Sequence, residues 1–486
     1  MKTQWREILR SAILPGALAG LVGGIVFGFA LYKLGALSMI AQLIGSDTGK
    51  VGIVVHLIIA AVIGSGFGLL IWHQRAGIGE TLFWGLTYGT LWWFLGPLTL
   101  MPLFLKNTLS WDLVSVQAAF PSLLGHLFYG ASTALTFVVI KRDRRAEEPS
   151  WGSVIRGLLA GVLSAWFLGS MLTAQGQLSA FAAMMNSESQ LVAWITLFII
   201  GALAGLGFVL LYPRSTDTAG AGLIRGTVYG FLWWVLGALT VLPLIGGTGL
   251  AWSLDEARHG FAFLPGFLLF GALLALLYQW LDVLVRLLLS DEIGEREDEG
   301  IGTLGLRALG RGALAGIIGG LIFTLVMIQV GFLPTVASLI GRQSAFTGFI
   351  VHLVISILIG ASYGILFRRQ SQDIGSALGW GVSYGFFWWI LGPLTLLPLL
   401  LGATPEWTVE IATKYLASLI GHLSYGAALG IIFYIMETRF NPWWVSQRRA
   451  HADRMERRNT QALTSAPALW AFVVVIALIV PIVLGK

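Results

Sequence analysis

One pattern of glycines and aromatic residues is written three times along this chain, and that repetition constrains the fold more than any other feature. Moving 141 positions carries Gly16, Gly20, Gly64, Tyr88, Trp92 and Gly125 onto Gly157, Gly161, Gly205, Tyr229, Trp233 and Gly266 without a gap. Moving 296 positions carries them onto Gly312, Gly316, Gly360, Tyr384, Trp388 and Gly421. Self-similarity at a fixed period marks tandem copies of one structural unit. Each copy holds four apolar runs of about 20 residues, the length that spans a hydrocarbon core. They fall near 11–32, 51–72, 81–105 and 117–140, then near 153–173, 191–212, 222–246 and 260–281, then near 308–332, 348–367, 376–401 and 412–436. A last run at 467–485 makes thirteen spans. The expected fold is all-α: a polytopic transmembrane helical bundle of three tandem four-helix repeats and a C-terminal helix. The repeats take 1–145, 146–290 and 307–440, with an acidic linker at 291–306, a basic tail at 441–466 and the final helix at 467–486.

Composition agrees with a membrane as the main solvent. Of 486 residues 56% are hydrophobic and 11% charged, against roughly a quarter charged in soluble domains. The 62 glycines would weaken soluble helices but suit membrane helices that pack backbone to backbone. Cysteine is absent, which excludes disulfides, thiolate metal sites and iron–sulfur clusters. A net charge of +6 does not indicate nucleic acid, because the charges sit between the apolar runs. Lys2, Arg6 and Arg10 ahead of an apolar stretch imitate a secretory signal, yet the same stretch recurs twice inside the chain.

Four helices per repeat return the chain to its starting side, so the repeats are parallel. Lys and Arg crowd the connections that would be cytoplasmic if the amino terminus is inside, among them Lys141, Arg142, Arg144, Arg145, Arg368, Arg369, Arg448 and Arg457. The expected topology is amino terminus in and carboxy terminus out, in a bacterial or archaeal cytoplasmic membrane. The acidic run 291–299 reads as a solvated linker, and Gln447–Asn459 as a polar surface helix whose arginines meet anionic headgroups.

Three motifs stand out within the repeats. Gly16, Gly20 and Gly24 form a small-xxx-small stripe that lets a neighbouring helix approach closely, and short amphipathic stretches follow near 36–45 and 333–341. The third helix carries Trp92-Trp93-Phe94-Leu95-Gly96-Pro97-Leu98-Thr99, repeated around Trp388, Pro393 and Thr395, while the middle copy has Ala238 in place of the proline. A Gly-Pro pair removes a backbone donor and breaks the helix. The spans otherwise hold essentially no Asp, Glu, Lys or Arg, but they do hold His56 and His126 in repeat 1 and His352 and His422 in repeat 3. In repeat 2, Leu197 and Phe267 stand at those positions.

Ionisable residues in hydrocarbon are functional candidates by default. Topology places both histidines of a pair at similar depth toward the outer face, on the second and fourth helices. Two neutral imidazoles at one level point to a b-type haem held between helices, with Gly64, Gly125, Gly130, Gly360, Gly421 and Gly426 making room for it. Electron transfer, or an accessory role in a membrane complex, would follow. Copper or zinc fits less well, since no third ligand recurs in both repeats. The plainer reading makes each histidine a hydrogen-bonded bridge between helices, through Ser122, Tyr88 or a backbone carbonyl.

The mid-unit His56, the Trp-rich third helix ending at Pro102, and Gly125-His126-Leu127, with His352, Pro398 and Gly421-His422-Leu423, resemble small four-helix membrane proteins such as the YagU-like family. That resemblance implies an inner-membrane protein without an established activity, here in three fused copies. Three functions compete: haem-dependent electron transfer, a channel or transporter lined by the histidines with Thr99 and Thr395, and a purely structural membrane component. The expected partners are the lipid bilayer and other membrane subunits. No nucleophile, metal triad or carboxylate pair supports catalysis in the spans.

Overall fold

The computed structural model describes residues 2–74, 77–106, 108–141, 149–213, 219–289, 301–368, 370–371, 373–440, 455 and 466–484. Among these residues there is no strand, and twelve helices are long and apolar enough to cross a membrane. They are α1 (Trp5–Lys33), α2 (Gly49–Ile71), α3 (Ile78–Lys106), α4 (Phe120–Lys141), α5 (Trp151–Ala174), α6 (Gln190–Leu211), α7 (Ala219–Ile245), α8 (Leu254–Val283), α9 (Gly305–Gln329), α10 (Ala345–Phe367), α11 (Ile374–Leu400) and α12 (Leu416–Arg439). A further helix, α13, runs Ala466–Val474 and continues unbroken through Val475–Ile479 and Val480–Leu484. The chain is thus an all-α integral membrane protein. Helix already begins at Ile301, inside the stretch expected to be linker. The acidic run and the polar surface helix expected at Gln447–Asn459 lie outside the described residues, Met455 excepted.

Each repeat is built on backbone contact. The first helix packs on the second and fourth, and the third packs on the fourth. Lipid tails are as apolar as leucine, so close van der Waals packing must hold such helices together. Glycine permits it: a Cβ on Gly16 or Gly20 would strike the backbone of Gly64 or Ala60, one on Gly312 or Gly316 that of Gly360 or Ser356, and one on Gly161 that of Gly201. Third and fourth helices meet the same way at Gly85 and Gly130, Gly226 and Gly271, and Gly381 and Gly426. A tyrosine ties the third helix to the second in every copy, Tyr88 to Ile63 O and Tyr229 to Ala204 O, both at 2.7 Å, and Tyr384 to Ser362 Oγ at 2.7 Å. The amphipathic stretches form short helices, Leu37–Ala41 and Leu333–Ala337, that press onto Gly52 and Gly348 of α2 and α10. They are therefore docked on the protein.

The three repeats surround α13. Its first half packs against α3, α7 and α11, the third helix of each repeat. Its last half meets three short helical segments, Leu113–Ala118 and Val409–Lys414 ahead of α4 and α12, and Leu254–His259 at the start of α8. A helix end leaves carbonyls without intrahelical partners, and here one repeat position supplies them. Gln117 Nε2 donates to Pro481 O (3.4 Å), Arg258 Nε to Ile482 O (3.2 Å) and Thr413 Oγ1 to Val483 O (2.9 Å). Residues 117, 258 and 413 are equivalent under the repeat offsets. Successive carbonyls turn by about 100° around a helix of 3.6 residues per turn, close to the 120° of a threefold arrangement, so three consecutive carbonyls find three equivalent donors.

The ring is not closed evenly. Trp252 of repeat 2 is 2% exposed and stacks on Phe128 of repeat 1, their rings 5.3 Å apart, and Trp407 of repeat 3 is equally buried, its ring against Gly266 of repeat 2. The equivalent Trp111 of repeat 1 is 66% exposed, as is Ile420 of repeat 3 at 56%, whereas Leu124 at its position in repeat 1 is fully buried. Among the described residues, α3 meets α6 between repeats 1 and 2, and α7 meets α10 and α11 between repeats 2 and 3; repeats 3 and 1 are held mainly through α13.

Charge does enter the spans, contrary to expectation. Arg225 of α7 and Glu80 of α3 form a buried ion pair between repeats 1 and 2, with the Arg225 guanidinium 4.8 Å above the Tyr212 ring. Arg156 pairs with Asp282 at 3.0 Å inside repeat 2, and Arg311 with Glu437 at the same positions of repeat 3. Alone, each charge would be costly in hydrocarbon; opposite charges placed together offset much of that cost.

Candidate functional site

The histidines of repeats 1 and 3 are built alike, almost atom for atom. The first helix packs on both the second and the fourth and brings a phenyl ring to the two imidazoles. Phe27 sits edge-on to both imidazoles, 5.3 Å from the His56 ring and 4.8 Å from the His126 ring. Phe323 does the same at 5.0 Å from His352 and 4.7 Å from His422. Each imidazole is anchored to a carbonyl, which can only accept, so the nitrogen involved must donate. His56 Nε2 donates to Gly24 O (2.9 Å) and His352 Nε2 to Gly320 O (3.1 Å), bridging second helix to first. His126 Nδ1 donates to Ser122 O (2.7 Å) and His422 Nδ1 to Ser418 O (2.8 Å), one turn back on their own helices.

A tyrosine completes each cluster. Tyr129 reaches from α4 to Ala60 O of α2 (2.8 Å), and Tyr425 from α12 to Ser356 O of α10 (2.7 Å). Sequence reasoning missed Phe27, Phe323, Tyr129 and Tyr425, although the repeat offset marks them. In the middle copy the five positions 27, 56, 122, 126 and 129 become Leu168, Leu197, Phe263, Phe267 and Phe270. The hydrogen-bonding side chains are lost as a set and replaced by hydrocarbon.

The other expected site residues have different partners. Gly64 and Gly360 carry the contact of first with second helix, and Gly130 and Gly426 that of third with fourth. The space beside Gly125 and Gly421 is filled by the rings of Phe27 and Phe323. Trp92 and Trp388 pack edge-on to Tyr88 and Tyr384 at 6.2 Å, while the neighbouring tryptophans do the anchoring: Trp93, Trp234 and Trp389 donate to Ala119 O, Gly260 O and Tyr415 O at the start of the fourth helices.

The helix break is real, but proline does not make it. A π-helical stretch occurs at Gly96–Leu100 and Gly392–Leu396, and equally at Trp234–Val241, where Ala238 replaces Pro97 and Pro393. Common to all three is a threonine hydroxyl bonded five residues back: Thr99 to Phe94 O (2.7 Å), Thr240 to Val235 O (2.8 Å) and Thr395 to Ile390 O (2.9 Å). The break belongs to the architecture and is not lost with the histidines. It does touch them, since Nε2 of His126 and of His422 lies 3.8 Å from where a Cβ on Gly96 or Gly392 would stand.

A bis-histidine haem needs one lone pair from each imidazole aimed at a shared iron, and a slot for the macrocycle between them. The residues as packed do not fit that group. A phenyl ring packs edge-on against both imidazoles of each pair, and His56 and His352 direct Nε2 to a backbone carbonyl. The arrangement can instead lock three helices to one another. His56→Ala, which removes the buried hydrogen bond from the second helix to Gly24 O of the first, is expected to destabilise the protein by about 0.5–1.5 kcal/mol. Transplanting the whole middle-copy set into repeat 1 should cost less than the sum of the single alanine changes, because it replaces polar partners together. Thermal unfolding in detergent measures both; unchanged stability in His56→Ala would contradict the assignment.

No protein family, no curated protein and no solved structure matches the chain.

Proposed function

We propose that this protein is a rigid, non-conducting structural component of a membrane, a ring of three four-helix units locked by its own last helix. The observation that carries this reading is the occupied axis. The position where a threefold assembly would place a pore holds α13, which buries Trp470, Val474, Leu478 and Ile482 and is capped by Gln117, Arg258 and Thr413. The histidine clusters lie inside single repeats, each tied to its own backbone, so they do not line a shared path. The Lys and Arg bias would put the amino terminus in the cytoplasm, and other membrane subunits are the natural partners of such a frame.

Two measurements test this against its rivals. Purified protein from haem-replete cells is expected to be colourless, and proteoliposomes carrying it are expected to pass small ions and solutes no faster than empty vesicles. A Soret band lost in His126→Ala and His422→Ala would overturn the reading in favour of electron transfer. Flux abolished by changing the four histidines would overturn it in favour of transport.

A further inference from the structure

The seam between repeats 1 and 2 has a hole in it. Between repeats 1 and 2 lies a cavity of about 210 Å³, walled by Leu86, Leu127 and Ala131 on one side and Leu232, Trp233 and Leu236 on the other. Phe128 also lines it and stacks on Trp252. In the next seam Phe387 stands at the position of Leu232 and is buried.

We propose that this cavity holds the acyl chain of a glycerophospholipid, bound between repeats 1 and 2. Its walls are almost wholly apolar. The one hydroxyl at its edge, Tyr229, is already spent on Ala204 O at 2.7 Å. Water needs two to four polar partners to stay in a buried site, and none is offered. Leu236, at the rim, is 41% exposed and belongs to a membrane-spanning helix, so the mouth opens to lipid rather than to solvent. An unfilled cavity forfeits dispersion contacts along its whole lining, and in a bilayer a flexible hydrocarbon chain is the species at hand to restore them. The one other polar group of the lining, the Trp233 indole N–H, is engaged by Tyr229, so the site selects the chain rather than the headgroup.

Native mass spectrometry of the full-length protein in mild detergent tests this. The wild-type protein is expected to retain one phospholipid through washing that strips the annular lipids. Leu232→Phe, which places here the residue type of the equivalent position 387, and Ala131→Leu, which closes the opposite wall, are each expected to lower that occupancy at least tenfold while unfolding no earlier than wild type. Leu91→Phe, the same change at the equivalent, lipid-exposed position of repeat 1, is expected to leave it unchanged. Wild-type protein that carries no lipid would overturn the proposal. So would full occupancy in both filling variants, equal loss in Leu91→Phe, or recovery of a prenyl compound in place of a phospholipid.

Discussion

Arg225→Met is expected to lower the stability of this protein by about 3–5 kcal/mol, the scale at which breaking a buried ion pair by removing one partner leaves the other charge uncompensated. Glu80 would remain, 6% exposed between two repeats, with the Tyr212 ring beside the vacated site. The companion change Glu80→Met should cost a similar amount, because it strands the guanidinium instead. The double variant is expected to recover most of the loss, since replacing both charges by hydrocarbon of similar volume is often neutral or stabilising. Thermal unfolding of the four proteins in one detergent closes the cycle, whose interaction energy isolates the pair. Losses that simply add would mean that the two charges do not depend on each other.

The second large effect concerns α13. A chain stopped after residue 465 would leave the axis lined by apolar faces of α3, α7 and α11. The donors of Gln117, Arg258 and Thr413 would lose their carbonyls. Repeats 3 and 1, which are joined mainly through α13, would lose their common support. The expected result is a several-fold fall in the amount of monodisperse protein recovered from membranes, since a destabilisation of even 1–2 kcal/mol changes abundance several-fold. Recovery and melting temperature equal to the full chain would show that the ring stands without its centre.

Much of this architecture was legible in the sequence because membrane helices are set by length and apolarity, and the repeat offset registers every span against two others. What the runs could not reveal is where a thirteenth helix goes. Apolarity makes it a span, but only the offset-related residues Gln117, Arg258 and Thr413, three unlike side chains at one repeat position, mark its socket. The ion pairs were legible in principle: Glu80 and Arg225 fall one helical turn apart once the 141-residue offset is removed, and Arg156 and Arg311 share a position, as do Asp282 and Glu437. The histidines were legible as a set lost together in repeat 2. Equal depth on two helices, however, does not say what packs against them, and Phe27 comes from a third helix on which neither histidine sits. Proline seemed to mark the helix break because it is the residue that breaks helices most often, yet the break survives at Ala238 and follows the threonine instead.

A disulfide test addresses the occupied axis most directly, and the absence of cysteine from the chain makes it clean. A Cβ on Gly379 of α11 would stand 3.5 Å from the Cβ of Ala468 of α13, within the roughly 3.5–4.5 Å that a disulfide requires. In membranes, Gly379→Cys with Ala468→Cys is expected to cross-link rapidly under mild oxidation. After trypsin cuts the arginine-rich segment between the two positions, the C-terminal fragment should stay attached until reductant is added. Release of that fragment without reductant, with both thiols free to alkylation, would place α13 away from the axis and contradict the account.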